Sequence, residues 1–314
     1  KQYISRNNTL IMVYFRFKTF TTSYYFPILQ PHQQYMYGLY SAYGGKLSKI
    51  YWNLFKKYNI VRALTTISEA KLPFPYYLIK NIDGTNSLMA FNMGSPGIEQ
   101  KISILGYDNS VHTPFFAKFS QKPEAKILTC NEIKIYQSLK NSFLTPQLLD
   151  YKIHPEYVYL KTEFVEGKRP KTTELTMPIV ELCLQLKEYH LTTLQFDNQG
   201  LRIALSHGDF CPWNILIQDN RMKLIDWELA KDRPLGFDLF TYICQVSLLF
   251  APNVELLQAI DNHSVLIKHY FTKCSIDNYL PYLKAFAIEK AIYEKSKSNQ
   301  STYFKYHQLA TILS

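Results

Sequence analysis

Three oxygen-bearing side chains stand at close spacing in the second half of this 314-residue chain: Asp209, Asn214 and Asp226. They lie in Ser206-His207-Gly208-Asp209-Phe210-Cys211-Pro212-Trp213-Asn214-Ile215-Leu216-Ile217 and in Lys223-Leu224-Ile225-Asp226-Trp227-Glu228. These residue types suit phosphoryl transfer. That chemistry needs a carboxylate to orient an attacking hydroxyl and take its proton, hard oxygen ligands for a divalent cation, and a cation on the phosphate chain. Asp209 and Asn214 are five residues apart on a loop that runs into a strand. The turn Asp219-Asn220 then returns the chain to Asp226 at the end of a paired strand. Such a hairpin can gather one candidate base and two candidate metal ligands without long-range coincidence. The competing reading makes Asp209 and Asp226 solvated loop carboxylates.

The elements around this segment follow from periodicity. Tyr3 to Phe20 is rich in β-branched and aromatic residues, with Val13, Phe15 and Phe17 on one face, and predicts one or two strands. Lys46 to Tyr58 has helical spacing, and Leu72-Pro73-Phe74-Pro75 breaks regular structure. From residue 87 the pattern predicts strands at Leu88–Met93, Lys101–Gly106 and Pro114–Phe119, a helix from about Ala125 to Leu139, and strands at Gln147–Ile153 and Tyr157–Phe164. This is a small antiparallel sheet packed on one helix. After Gly167 the chain reads as mainly helical, with a helix over Glu174–Leu191, short strands at Ile215–Ile217 and Met222–Ile225, and several helices from Phe237. Lys118 sits late in a very apolar strand, where a lysine is costly unless its charge meets phosphate or carboxylate. The alternative is an edge lysine that snorkels to solvent. Glu132, in mid-helix, and Glu124, near the helix start after Pro123, are the two candidate partners. The turn Asn92-Met93-Gly94-Ser95-Pro96-Gly97 is either an ordinary hairpin turn or a loop presenting backbone N–H groups to an anion.

The arrangement H-x-D-x-x-x-x-N followed by I-D-W-E, with Gly236-Phe237-Asp238-Leu239 further on, resembles the aminoglycoside phosphotransferase and choline kinase superfamily, relatives of the protein kinases. The resemblance implies an α+β, bilobal protein-kinase-like fold: a small antiparallel-sheet N-lobe at 86–166, a mainly helical C-lobe at 167–314, and an extra N-terminal α/β accessory region at 1–85. It implies an ATP- or GTP-dependent kinase that phosphorylates a hydroxyl of a small molecule. Asp209 is then the catalytic base, His207 supports the loop, Asn214 and Asp226 hold Mg²⁺, and Asp238 bonds loop backbone. By the same resemblance Lys118 binds phosphate with Glu132, preferred to Glu124, as its helix partner. Gly94 and Ser95 lie over the triphosphate, although the turn departs from G-x-G-x-x-G. Glu163 and Val165 meet the adenine edge through main-chain atoms. His190, at the end of the predicted helix, is structural.

Composition narrows the partners. The formal net charge is +10, which favours acidic partners such as nucleotides, phosphorylated glycans or anionic lipid heads, against the alternative of a generic solubilising charge. No run of five like charges marks a nucleic-acid arm, and no uncharged apolar span is long enough for a membrane helix, so any membrane contact is expected to be peripheral. The five cysteines are scattered without a CxxC pair, and no signal-peptide pattern opens the chain. Reduced thiols and a cytoplasmic location are therefore expected. A sugar or surface-glycan intermediate is the leading acceptor, and choline, ethanolamine or an aminoglycoside the alternative. A nucleotide-binding pseudokinase scaffold is the reading from another class. The Tyr24, Tyr25, Phe26, Tyr35, Tyr37, Tyr40 and Tyr43 cluster reads as aromatic core before it reads as a sugar-stacking surface.

Overall fold

The computed structural model describes residues 3–6, 9–40, 46–58, 65–84 and 86–313. It divides into two compact units, one of residues 1–137 and 146–164, the other of 138–145 and 165–314.

The first unit is built on nine antiparallel strands. In chain order they are β1 (Tyr3–Arg6), β2 (Thr9–Lys18), β3 (Ser23–Pro27), β4 (Thr66–Ser68), β5 (Ser87–Asn92), β6 (Lys101–Asp108), β7 (Thr113–Ser120), β8 (Leu148–Ile153) and β9 (Val158–Glu163). Their order across the sheet is β1-β2-β3-β5-β6-β7-β9-β8, with β4 also paired to β2. Helices α1 (Lys46–Lys57), α2 (Tyr76–Asp83) and α3 (Pro123–Ser138) complete the unit. The five strands expected from residue 87 onward are present. The sheet is wider than the sequence pattern suggests, because β3 pairs with β5 through Tyr24↔Asn92 and Tyr25↔Phe91. An edge strand offers unpaired N–H and C=O groups, and a neighbouring strand satisfies them.

Alternation along the strands sorts side chains into two cores. Tyr14, Phe91, Ile104, Phe115, Ala117 and Phe119 join Tyr76, Ile79 and Ile82 of α2 in one cluster. Phe17, Ala90 and Leu105 join Trp52 and Phe55 of α1 in another. The aromatic cluster is thus largely core: Tyr24, Tyr25 and Phe26 are buried, and Tyr37 and Tyr40 lie on Trp52 at ring separations of 5.7 and 4.9 Å. Tyr43 lies outside the described residues.

The second unit contains α4 (Met177–Leu186), strands β10 (Ile203–Ser206), β11 (Ile215–Gln218), β12 (Arg221–Leu224) and β13 (Lys231–Pro234), and helices α5 (Phe237–Phe250), α6 (Leu256–Asp261), α7 (Ser264–Lys273), α8 (Leu280–Ser296) and α9 (Gln300–Ile312). Helix α4 is shorter than expected. Past Leu186 the backbone is recruited elsewhere: Leu205 N–H donates to the Tyr189 carbonyl at 2.8 Å, and Leu191 and Thr192 N–H groups donate to the Asp232 carboxylate. His190 therefore follows the helix in an irregular segment rather than ending it. Among the described residues no helix is long and apolar enough to cross a membrane. All five cysteines are free thiols.

Candidate active site

The loop that carries Asp209 leaves β10, turns, and enters β11 through a short 3-10 turn at Pro212–Asn214. Strands β11 and β12 form a tight hairpin with Ile215 opposite Leu224. Its turn residues Asp219 and Asn220 both have positive φ, 49° and 59°. That is the mirror-image turn whose twist matches a two-residue hairpin, and Asp and Asn tolerate it well. The hairpin places Asn214 and Asp226 at its open end. Asp226 itself is left-handed, with φ 70° and ψ 56°, which turns the chain sharply into the 3-10 turn Trp227–Leu229.

Four bonds knit this end together. Asn214 Nδ2 donates to the Asp209 carboxylate Oδ2 at 2.9 Å and to the Asp209 carbonyl at 2.9 Å. Ile225 N–H donates to the Asn214 carbonyl at 3.0 Å. The Ile225 carbonyl lies 3.0 Å from His207 Nε2. The Asn214 amide orientation follows from chemistry, since the flipped amide would set its oxygen against a carboxylate. His207 Nδ1 accepts from the Asp209 N–H at 3.3 Å, so the tautomer that satisfies both ring nitrogens carries its proton on Nε2. The buried His207 ring lies 4.7 Å from that of Trp227, whose Nε1–H donates to the Leu224 carbonyl at 2.8 Å. His207 is thus a brace between the two halves of the site.

Asp238, in the first turn of α5, holds the loop from below. Its Oδ1 accepts from Ser206 Oγ at 2.8 Å and from Gly208 N–H at 3.0 Å, and its Oδ2 accepts from His207 N–H at 2.7 Å. This is the loop-bonding role expected of it. Gly208 has φ +83°, and a Cβ there would meet the Leu229 carbonyl at 2.5 Å, so only glycine lets the loop lie this close. Arg233 holds the same carbonyl with Nη1 at 3.0 Å and pairs through Nε with Glu289 at 2.7 Å.

Glu289 yields a pH prediction. Burial alone would raise its pKa, but Arg233 and Lys231 more than offset that and leave it below the usual glutamate value. The stabilisation is then full above the unfolded-state value of about 4.3 and is lost as pH falls through the lower folded-state value. Urea midpoints of the wild type and Glu289→Gln should differ at pH 7 and converge as pH is lowered below about 4.3. A difference that is constant with pH would refute the linkage.

Two residues of the second unit were missed in the sequence reading. Arg233 carried no local signal, since its partners Leu229 and Glu289 are not in any motif. Glu228 was legible in I-D-W-E but was not assigned to the metal set. One of its carboxylate oxygens lies within 4.8 Å of one from Asp226.

In the first unit, Lys118 Nζ meets Glu132 Oε2 at 2.6 Å, and the two are 4% and 1% exposed. Tyr136 donates its hydroxyl to Glu132 Oε1 at 3.2 Å. Glu124 is exposed at the start of α3. Gly94 has φ +65°, and a Cβ there would come within 2.5 Å of the Lys101 carbonyl. Its N–H donates to Asn92 Oδ1 at 3.0 Å, which also accepts from Thr22 Oγ1 at 3.1 Å. Ser95 is exposed at the tip. Glu163 N–H donates to the Gln147 carbonyl, and the Val165 carbonyl accepts from Gly167 N–H, both at 2.9 Å. These two main-chain atoms are thus spent within the chain.

Residues 153–260 match the profile of the Phosphotransferase enzyme family, APH. No curated protein sequence matches the chain. Among solved structures, that of LicA in complex with AMP is similar at 13% identity and a TM-score of 0.52, over 76% of this chain and 97% of that one. Choline kinase LicA from Streptococcus pneumoniae follows at 14% identity and 0.46, over 67% and 89%. An aminoglycoside-3'-phosphotransferase of type VIII gives 15% and 0.39, over 55% and 81%. Residues 153–260 thus carry the pattern of the Phosphotransferase enzyme family, APH, in a chain whose fold is similar to that of LicA.

Proposed function

We propose that the chain transfers the γ-phosphate of ATP or GTP to a hydroxyl of a small molecule, with a sugar or surface-glycan intermediate as the leading acceptor class. The observation that carries this reading is the bonded frame Asp209–Asn214–Ile225–His207, which supports one carboxylate and a set of oxygen donors at the open end of a single hairpin. Asp209 orients the acceptor hydroxyl and takes its proton. Asn214 Nδ2 fixes the rotamer of that carboxylate and turns its own carbonyl oxygen away from it. That oxygen, with Asp226 and Glu228, makes a hard, all-oxygen donor set of the kind that suits Mg²⁺. When bound, the ion would neutralise and orient the phosphate oxygens. Lys118, held by Glu132, would supply a cation for phosphate, with the backbone N–H of Ser95 as an anion donor at the turn, since the Gly94 N–H is engaged by Asn92 Oδ1. Given the internal bonds at Glu163 and Val165, the adenine edge would use the Val165 N–H and the second lone pair of the Glu163 carbonyl, which already accepts from Thr162 Oγ1 at 3.2 Å. Positioning and electrostatics supply most of the acceleration.

The test is ligand-dependent stabilisation. At a hundredfold excess over Kd, MgATP or MgGTP should stabilise the wild type by about 2.7 kcal/mol. ATP in EDTA should give much less, and Asp226→Ala should lose the metal-dependent part. A wild-type chain that neither nucleotide stabilises would remove the kinase reading.

A further inference from the structure

A cavity of about 240 Å³ opens in the first unit where β3 and β5 part. Among the described residues the two strands pair through Tyr24↔Asn92 and Tyr25↔Phe91 alone, although β3 runs on to Pro27 and β5 starts at Ser87. Proline explains the parting. Met93 N–H donates to the Ser23 carbonyl at 3.0 Å, so Ser23 turns its main-chain groups toward β5. That direction repeats every second residue along a strand, so Pro27 faces the same way and offers no N–H there. Pro27 and Ile28 then line the cavity from β3 and its exit, and Ser87 and Leu88 line it from β5. The space is far larger than the roughly 10–15 Å³ that one water needs and lies just under the roughly 300 Å³ of small ligand pockets.

Four carboxamides line this cavity: Gln30 and Gln33 at the start of the 3-10 segment Pro31–Leu39, Asn86 before β5, and Asn109 after β6. Chemistry fixes the orientation of two of them. Gln33 is 5% exposed, and its Oε1 accepts from Gln30 N–H at 3.1 Å. Its NH₂ group is left over, with no partner among the described residues, so a molecule entering the cavity is what can meet it. Asn109 Nδ2 donates to the Asn86 carbonyl at 2.6 Å, which leaves Oδ1 as an acceptor. One oriented donor and one oriented acceptor suit hydroxyl groups, which both accept and donate. Met12, Val13 and Leu88 supply aliphatic surface. Among the described residues the lining includes no charged and no aromatic side chain. An ionic ligand would find no countercharge there, and a planar base no ring to stack on.

We propose that this cavity binds one neutral, polyhydroxylated ligand, a single sugar residue or polyol, through the Gln33 NH₂ group and Asn109 Oδ1. All of its lining residues belong to the first unit and lie outside the phosphotransferase pattern at 153–260. It is a second ligand site, built from other residues than Asp209, Asn214 and Asp226, and it does not depend on the kinase reading.

The experiment is ligand-observed saturation-transfer NMR on the full chain, with glucose, galactose, N-acetylglucosamine, ribitol and adenosine as separate probes. At least one of the neutral sugars or ribitol should receive saturation from the wild type. Asn109→Ala and Gln33→Met should each weaken its affinity about fivefold or more, the worth of one hydrogen bond to a neutral group. Asp209→Ala should leave it unchanged. Asn109→Ala should also keep the unliganded Tm, because the Asn109 N–H still donates to the Asn86 carbonyl at 3.3 Å. It therefore judges the site even if Gln33→Met, which removes the acceptor of the Gln30 N–H, folds poorly. The proposal is overturned if no sugar or polyol binds, or if binding is the same in Asn109→Ala as in the wild type. It is equally overturned if Asp209→Ala abolishes binding, which would put the sugar at the acceptor site, or if adenosine is the probe whose binding depends on Asn109. Failure of MgATP and MgGTP to stabilise the chain would strike the kinase reading and leave this comparison intact.

Discussion

Asp209→Ala should lower the transfer rate by roughly 10³-fold or more with an accepted hydroxyl substrate, while nucleotide binding and Tm stay close to wild type. General-base positioning supplies about 10²–10⁴ in rate, and a thousandfold loss corresponds to about 4 kcal/mol of barrier. The side chain is only half-buried, so its removal leaves no core cavity. Its contacts come from Asn214 Nδ2 and, weakly, from Cys211 Sγ. Asn214 retains its second bond, to the Asp209 carbonyl, so the loop keeps its anchor. Turnover is to be followed by ADP release and binding by thermal shift with MgATP. Normal turnover in Asp209→Ala would remove the base assignment. A parallel loss of the MgATP shift would move Asp209 from catalysis to nucleotide or metal binding.

Asp238→Ala should be the most damaging single change to the fold of the second unit, lowering stability by about 3–5 kcal/mol. The carboxylate is buried and accepts three bonds, two of them from the consecutive main-chain N–H groups of His207 and Gly208. Removing it strands those donors, and each unsatisfied buried group costs about 1–3 kcal/mol. For a domain of this size that is a fall of roughly 10 °C in Tm. Activity should fall with it even well below the new Tm, because Asp209 directly follows the two N–H groups that Asp238 fixes. Asp238→Asn is the discriminating variant. It keeps one acceptor oxygen and should recover part of the stability while leaving turnover impaired. An Asp238→Ala chain with wild-type Tm would show that the loop is held by other contacts.

Much of the candidate site was readable because it is local. Asp209, Asn214 and Asp226 belong to one loop and one hairpin, and the Asp219-Asn220 turn that closes it has a recognisable chemistry. The same holds for β5 to β9 and α3, where alternation and helical spacing are clear. The Lys118–Glu132 pair came from the resemblance, which chose Glu132 over Glu124, and the buried 2.6 Å contact agrees with that choice. The length of α4 was not readable. Leu175 and Tyr189 fit its periodicity, but backbone bonds to β10 and to Asp232 end the helix at Leu186. Helical spacing reports which face is apolar and is silent on a competing tertiary hydrogen bond.

Residue order and spacing were enough to define the hairpin, the acid–amide–acid set on it, and the strand alternation that feeds two aromatic cores. They could not define which strands share an edge, that Arg233 and Gly208 meet on the Leu229 carbonyl, or that Lys161 is buried against Asp83. The reason is one of range. A turn or a strand face is set by neighbours within a few residues. A strand edge, a buried charge and its partner come from segments far apart in the chain, and many alternative partners carry the same local pattern.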